Sequence, residues 1–194
     1  MLKCKRSNVL KLFLSLFVIL TLVSNHCYVA KAGGDGVTAN YISGGYNKAN
    51  PIQIKCIFGS QSLTDAARTA WNGVSSKVVL SAAVNTNTIC TYFDIYDPPT
   101  PSTYGRTYKY YGSQILGEND TTSMWNKAEV YQYKAKDLNT TAKKKYTAIH
   151  ECGHALSIAH PTNSNVGAVM KQGAFEYTSL YTFDTKSLKG KWGS

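Results

Sequence analysis

The chain has 194 residues, with 21 lysines and arginines against 11 acidic residues, so its formal net charge is +10. Five of the basic residues and none of the acidic ones fall within residues 1–32, so residues 33–194 carry 16 basic and 11 acidic residues, a net charge of +5. The sequence contains no nucleic-acid-binding motif. We therefore interpret the mild positive charge as contributing to solubility rather than to the binding of nucleic acid. The remaining length suits one domain with a substantial core.

Residues 1–32 have the three parts of a secretory signal peptide. Basic residues open the chain, residues 12–23 are almost all apolar, and residues 30–32 (AKA) form a small-x-small cleavage site. A dozen apolar residues is too short for a transmembrane anchor, and the residues before Cys27 are too polar for lipid attachment. We therefore expect a secreted protein without a stable membrane anchor, whose single domain comprises residues 33–194.

The first part of that domain is predicted to contain a loop, a strand and a helix. Residues 33–50 are rich in Gly and Asn with little periodicity, which favours an extended arm or loop. Residues 51–58 alternate apolar and polar side chains, as a strand does. Residues 63–71 have a helical apolar stripe, and Ser62 or Thr64 can cap that helix.

Strand character then resumes at residues 78–80 and 88–96, so the order strand, helix, strand predicts a sheet with at least one crossover. Residues 97–102 (DPPTPS) are a break in regular structure. The Tyr-rich residues 104–111 fit either a wall facing a substrate or a strand with amphipathic rings, and we favour the strand. Residues 127–134 are also predicted to be a strand.

Three cysteines remain after the predicted signal peptide. Cys56 and Cys90 each fall in a predicted strand, and export permits disulfides, so they are the candidate pair; two free buried thiols are the alternative. Cys152 is two residues from a predicted metal ligand, and therefore points away from the ligand face of its helix. We interpret it as a small buried apolar residue.

The motif HECGHALSIAH, which begins at His150, has the spacing of zinc ligands. A helix advances about 100° per residue, so His150 and His154 lie one turn apart on one face and can bind one metal ion. Glu151 beside them can reach a water on that ion and act as general base. Pro161 prevents helix continuation, so that His160 can turn back as third ligand and leave the fourth position open, as in catalytic zinc sites.

The alternative interpretation is that these are surface or core histidines of an ordinary helix, without a metal-binding role. However, the remaining histidine, His26, lies in the predicted signal peptide, so every His of the mature chain belongs to the motif. Asn139, Thr140 or Thr141 is predicted to cap the helix that carries it. Beyond the motif, residues 182–184 (TFD) are predicted to start a short C-terminal helix.

These residues resemble the metzincin clan of zinc metalloendopeptidases, and a small bacterial matrixin-like enzyme in particular. The clan pattern HExxHxxGxxH, followed by a methionine turn, is matched by the motif and by Met170. The resemblance implies an α+β, zincin-like fold with a twisted mixed sheet, an active-site helix and a small C-terminal subdomain. It also implies Zn²⁺ held by His150, His154 and His160, Glu151 as general base, and a protein or peptide substrate cleaved by a monomer.

The resemblance carries two further expectations. Met170 would form an apolar floor beneath the metal, and residues 128–134 would be the edge strand that binds an extended peptide. The chain departs from the clan at Ser157, where the clan has a glycine in a left-handed conformation; a serine there costs about 1 kcal/mol or more. Gln172 stands where some members have a tyrosine, and we expect neither an inhibitory propeptide nor a structural metal.

Two alternatives are open at this stage. Glu176 lies 22 residues after His154, close to the spacing at which thermolysin-like enzymes place a carboxylate as third ligand. The spacing of His160 together with Met170 favours the histidine. A secreted zinc-binding protein that keeps the fold as a non-catalytic binding module is the second alternative, motivated by Ser157, and Glu151 argues against it.

Overall fold

The computed structural model describes residues 28–32, 37–46, 52–82, 88–117 and 120–194. Most of the predicted signal peptide therefore lies outside the described residues. In chain order the elements are β1 (Tyr28–Ala32), β2 (Thr38–Ile42), β3 (Gly45–Tyr46), β4 (Ile52–Gly59), α1 (Gln61–Trp71), β5 (Leu80–Ala82), β6 (Ile89–Phe93), β7 (Gly105–Tyr111), β8 (Gln114–Ile115), β9 (Met124–Trp125), β10 (Lys127–Gln132), α2 (Thr141–Ala155) and α3 (Thr182–Trp192).

The described residues form a mixed α+β fold with three helices and a mixed six-stranded sheet in the order β5-β4-β6-β10-β7-β8. The strands β5, β4, β6 and β10 run parallel, whereas β7 is antiparallel to β10 and β8 is antiparallel to β7. The predicted crossover is confirmed, because α1 connects the parallel neighbours β4 and β5. A separate C-terminal subdomain stays a prediction.

The helices begin close to the predicted positions. The α1 helix starts at Gln61 with Ser60 as its cap, rather than Ser62 or Thr64, because the Ser60 hydroxyl accepts the hydrogen bond from the Leu63 amide. Thr140 caps α2 by accepting from the Lys143 amide at 3.2 Å.

The helices α1 and α2 pack against one another and against one face of the sheet. Trp71, at the end of α1, is fully buried and its indole N–H donates to the Ile149 carbonyl of α2 at 2.8 Å. A buried aromatic ring with a satisfied N–H fixes two elements in register as well as filling volume. This contact positions the helix that carries the histidines.

The prediction that residues 128–134 form an edge strand is wrong. The β10 strand lies inside the sheet, where all of its residues pair with β7 and residues 128–132 also pair with β6. The Tyr-rich segment is the strand β7, as favoured from the sequence. Tyr108 and Tyr110 alternate with Thr107, which contacts α2, and so lie on the opposite face of the sheet.

Of the two alternatives left open for Cys56 and Cys90, a disulfide or free thiols, the structure has free thiols. They lie on the neighbouring strands β4 and β6, but Cys90 is opposite Lys55, and Cys56 is opposite Thr91. Successive side chains of a strand point to opposite faces, so the two sulfur atoms face opposite sides of the sheet.

The segment 33–50, expected to be an arm or loop, contains two short strands. The β2 strand pairs with β1, and β3 pairs with β9. The predicted cleavage after residue 32 falls between β1 and β2 and stays a prediction. Within the ranges given above, no helix is long and apolar enough to cross a membrane.

Candidate metal centre

Two of the motif's histidines project from one face of α2. His150 and His154 have their Nε2 atoms 3.1 Å apart, as the spacing of one helical turn predicts. Gly153 lies between them in sequence, and a β-carbon there would overlap the Met170 sulfur and lie 2.8 Å from the Trp71 ring. Glycine is thus required for α2 to approach these two side chains closely.

The chain reverses direction immediately after α2. Ser157 has a φ of +72°, the left-handed conformation expected at this position, and the Ile158 amide closes the turn on the Gly153 carbonyl at 3.0 Å. The reversal brings the Nε2 of His160 to 3.0 Å from that of His154 and 3.2 Å from that of His150. The three ring nitrogens therefore converge on one point.

The strand β2 holds this turn in place. The Ile42 amide donates to the Ser157 carbonyl at 2.8 Å, and the Asn40 side-chain amide donates to the His160 carbonyl at 2.7 Å. From α3, the Trp192 indole donates to the Leu156 carbonyl at 2.9 Å. Two elements far away in sequence thus fix the position of the third histidine.

In His150 and His154, a hydrogen bond at Nδ1 determines that Nε2 is the ring nitrogen available to bind a metal ion. The Nδ1 of His150 lies 2.8 Å from the Val169 carbonyl, and the Nδ1 of His154 lies 2.9 Å from the Ile158 carbonyl. A carbonyl oxygen only accepts, so each Nδ1 carries the proton and each Nε2 presents its lone pair. This is the orientation that carbonyl partners impose on metal-binding histidines.

Burial keeps the three rings neutral. Desolvation lowers the pKa of His150 to about 3 and that of His160 to about 4, and it lowers the pKa of His154 well below the usual value. Charge repulsion from His160 lowers the pKa values of the other two further. At neutral pH all three side chains are therefore uncharged, which is the form in which imidazole can bind a metal ion.

The donor set fits a metal ion. Nitrogen ligands about 2.0–2.1 Å from one tetrahedral zinc ion lie about 3.3–3.4 Å apart, close to the distances of 3.0–3.2 Å between these three atoms. In the part of the chain that the structure describes, His150, His154 and His160 are the group of side chains that could hold such an ion. Cys152 is not part of it: the thiol is buried in the core, as predicted, and burial raises its pKa.

Glu151 lies at the base of a cleft of about 670 Å³ that the histidines also line. The side chain is 6% exposed and contacts β7, where the Thr107 hydroxyl lies 2.9 Å from the carboxylate Oε2. The sequence does not indicate this contact, since Thr107 precedes Glu151 by 44 residues in a segment notable for its tyrosines.

Met170 is fully buried against Gly153, which lies between His150 and His154 in α2. Its position depends on Asp184 of α3, a residue that the sequence suggests only as part of a helix start. The buried Asp184 carboxylate accepts from the Val169 amide at 2.9 Å and the Met170 amide at 3.1 Å, and also from the Tyr181 amide at 2.8 Å. Because Val169 also bonds His150, Asp184 links α3 to the first histidine.

Glu176 does not approach the histidines. Its carboxylate accepts from the Thr140 hydroxyl at 3.0 Å, at the start of α2. His150 is ten residues further along that helix, which corresponds to about 15 Å at 1.5 Å per residue. The geometry therefore favours His160 over Glu176 as the third member of the site.

Ser157 is accommodated by a hydrogen bond that a glycine could not make. Its buried hydroxyl accepts from the Tyr46 amide at 3.1 Å. Ser157→Ala should lose this bond, which costs about 1–3 kcal/mol for a buried amide, and should keep the left-handed strain. Ser157→Gly should lose the same bond but relieve about 1 kcal/mol of strain.

We therefore expect Ser157→Gly to be more stable than Ser157→Ala by about 1 kcal/mol in the free energy of unfolding, measured by denaturant titration. This order of stability is the reverse of the usual one at exposed helical positions, where the alanine variant is more stable than the glycine variant. An alanine variant as stable as the glycine variant would contradict it.

These residues define a candidate metal centre, in which three histidines that could hold an ion lie beside a buried carboxylate. No protein-family model matches the chain, and no curated protein does. Among solved structures, two of myroilysin align at a TM-score of 0.44 and 12% identity, one covering 78% of this chain and 97% of the other, the second covering 85% and 98%.

A third similar structure is high choriolytic enzyme 1, a hatching enzyme zinc-protease from the medaka fish Oryzias latipes. It aligns at a TM-score of 0.39 and 10% identity, over 82% of this chain and 96% of the other.

Proposed function

We propose that the protein is a zinc-dependent metalloendopeptidase, which hydrolyses internal peptide bonds of protein substrates. The observation that carries this is the convergence of three neutral Nε2 atoms, 3.0–3.2 Å apart, in an open cleft that Glu151 also lines. A structural zinc site is closed by four protein ligands, whereas three ligands and an open side leave a position for water or substrate.

In the proposed mechanism His150, His154 and His160 hold the ion, and Glu151 handles the proton. A zinc ion bound there would lower the pKa of its water to about 7 and polarise the scissile carbonyl. The Glu151 carboxylate takes the proton from the attacking water and passes it to the nitrogen of the leaving amine.

The strand β7 is the better candidate for binding an extended peptide than β10. Its residues 105–107 line the cleft, and one of its edges pairs with β10. On the other edge, β8 pairs only with Tyr110 and Tyr111, and Leu116 bonds Lys109, so among the described residues no strand pairs with 105–108. A substrate chain could add to this edge of β7 through main-chain hydrogen bonds.

The remaining parts of the proposal come from the sequence. Residues 1–32 would direct export and be removed, and residues 33–194 would act as a monomeric, secreted domain of the metzincin clan. Ser157, which motivated a non-catalytic binding module, fits the turn through its own hydrogen bond. It therefore gives no reason to prefer that alternative.

The proposal is tested by a cleavage assay on purified protein, with casein and a mixed peptide library as substrates. We expect cleavage at internal bonds, its loss after treatment with a chelator, and its recovery when one equivalent of zinc is restored. Bound zinc with no cleavage of any substrate would contradict the peptidase proposal and support a binding protein instead.

A further inference from the structure

The side chain of Glu151 is held by two residues of β7, and this contact lies outside the metal site itself. The Thr107 Oγ1 is 2.9 Å from the carboxylate Oε2 and 2.8 Å from the Glu151 main-chain carbonyl. A β-carbon on Gly105, two residues earlier on the same face of the strand, would lie 2.5 Å from Glu151 Cγ and 2.7 Å from Oε1.

We propose that Thr107 is a positioning residue for the general base, and that Gly105 provides the space the base occupies. The inference rests on the proposed function, in which Glu151 is that base. Together Thr107 and Gly105 form a cradle, in which the Thr107 hydroxyl bonds Oε2 of the carboxylate and the missing side chain of Gly105 leaves room for Oε1.

The hydroxyl selects one of its two possible acceptors. It has a single proton, and an ionised carboxylate is a stronger acceptor than an amide carbonyl. The Thr107 proton therefore points to Oε2 of Glu151. Because a glutamate side chain has three rotatable bonds, this one contact removes most of its freedom to leave the catalytic orientation.

The cradle lies on a rigid part of the sheet. Thr107 is opposite Val130 in a ladder of six residue pairs between β7 and β10 that runs from Gly105 to Tyr110. The edge of the same strand that faces away from β10 is where the proposed substrate would bind. One strand thus fixes both the carboxylate and the peptide, so the distance between them does not depend on a flexible loop.

The test compares Thr107→Val, which keeps the shape and removes the hydroxyl, with Thr107→Ser, which keeps the hydroxyl. We expect Thr107→Val to lower kcat about 10- to 100-fold, the effect of one hydrogen bond to a charged group. KM and the zinc content should stay close to wild type, since neither the substrate edge nor the histidines change. Thr107→Ser should recover most of the kcat.

Thr91→Val is the matched control. Thr91 is a fully buried threonine of β6 whose hydroxyl bonds Thr64 at 2.6 Å, remote from the cleft-lining residues. Thr91→Val should lower the free energy of unfolding, because it also removes a hydroxyl and its hydrogen bond, and it should leave kcat unchanged. Equal kcat losses in Thr91→Val and Thr107→Val would show a general structural effect and overturn the positioning role.

A crystal structure of Thr107→Val separates this proposal from the proposed function. We expect the Glu151 carboxylate to leave its wild-type position or to occupy more than one, whether or not the protein proves to be a peptidase. A carboxylate that stays in place, a kcat equal to wild type in a cleaving enzyme, or a serine variant as impaired as the valine variant would each overturn the proposal.

Discussion

Replacing Glu151 by alanine should lower kcat for peptide cleavage by about 100- to 10,000-fold, the usual contribution of a general base. The same variant should keep about one zinc ion per chain. Glu151 is not a member of the converging group, and the Val169 and Ile158 carbonyls, rather than the carboxylate, orient the rings of His150 and His154. The measurement is kcat on a fluorogenic peptide together with zinc quantified by mass spectrometry.

Glu129→Ala controls for the loss of one negative charge. Glu129 accepts hydrogen bonds from Tyr110 and Tyr131 and does not line the cleft. Glu129→Ala should therefore leave kcat close to wild type. A Glu151→Ala enzyme as active as wild type would eliminate the general-base mechanism, whatever the zinc content.

Replacing His160 by alanine should weaken zinc binding by more than about 100-fold, because loss of a ligand should exceed the 10- to 100-fold cost of losing a ligand's hydrogen-bond partner. Activity should fall with the metal. The fold around the turn should persist, since the bonds that hold it use the Ser157 and His160 main-chain carbonyls. Zinc affinity is measured by competition with a chromophoric chelator.

Glu176→Ala is the companion variant, because it tests the carboxylate that the sequence offers as an alternative ligand. Glu176 is exposed and bonds Thr140, so its removal should leave zinc affinity and cleavage unchanged. The reverse pattern, with zinc lost in Glu176→Ala and retained in His160→Ala, would contradict the three-histidine site.

The ligand face of α2 could be predicted from sequence because it depends on local geometry. Histidines four residues apart on a helix must share a face, and Pro161 shows that the helix ends before it. What positions His160 could not be predicted. Asn40 and Trp192, which hold its turn, lie 120 residues before His160 and 36 residues after Leu156, and no periodicity connects such distant positions.

The arrangement of the sheet also could not be predicted, because it depends on contacts between segments that are distant in sequence. Alternation along residues 127–134 identified a strand, but an internal strand and an edge strand show similar alternation when one face is buried. Which strand lies at the edge depends on pairing between segments. A register difference of one residue likewise places Cys56 and Cys90 on opposite faces, although both were correctly placed in strands.

Thr107 and Gly105 are residues of the site that could not be predicted from the sequence. Neither residue belongs to a motif, and both are common in strands and turns. Their relation to Glu151 appears only when β7 is packed against α2. Ser157 is the opposite case: the sequence indicated strain at that position, but the compensating bond from Tyr46 depends on the distant strand β3.

The most direct test of the central claim is a diffraction measurement on zinc-loaded crystals at wavelengths on either side of the zinc absorption edge. We predict one anomalous peak about 2.0–2.1 Å from the Nε2 atoms of His150, His154 and His160, with its open side toward the cleft. A peak at other side chains, or none between these three atoms in a protein that contains one zinc per chain, would contradict the claim.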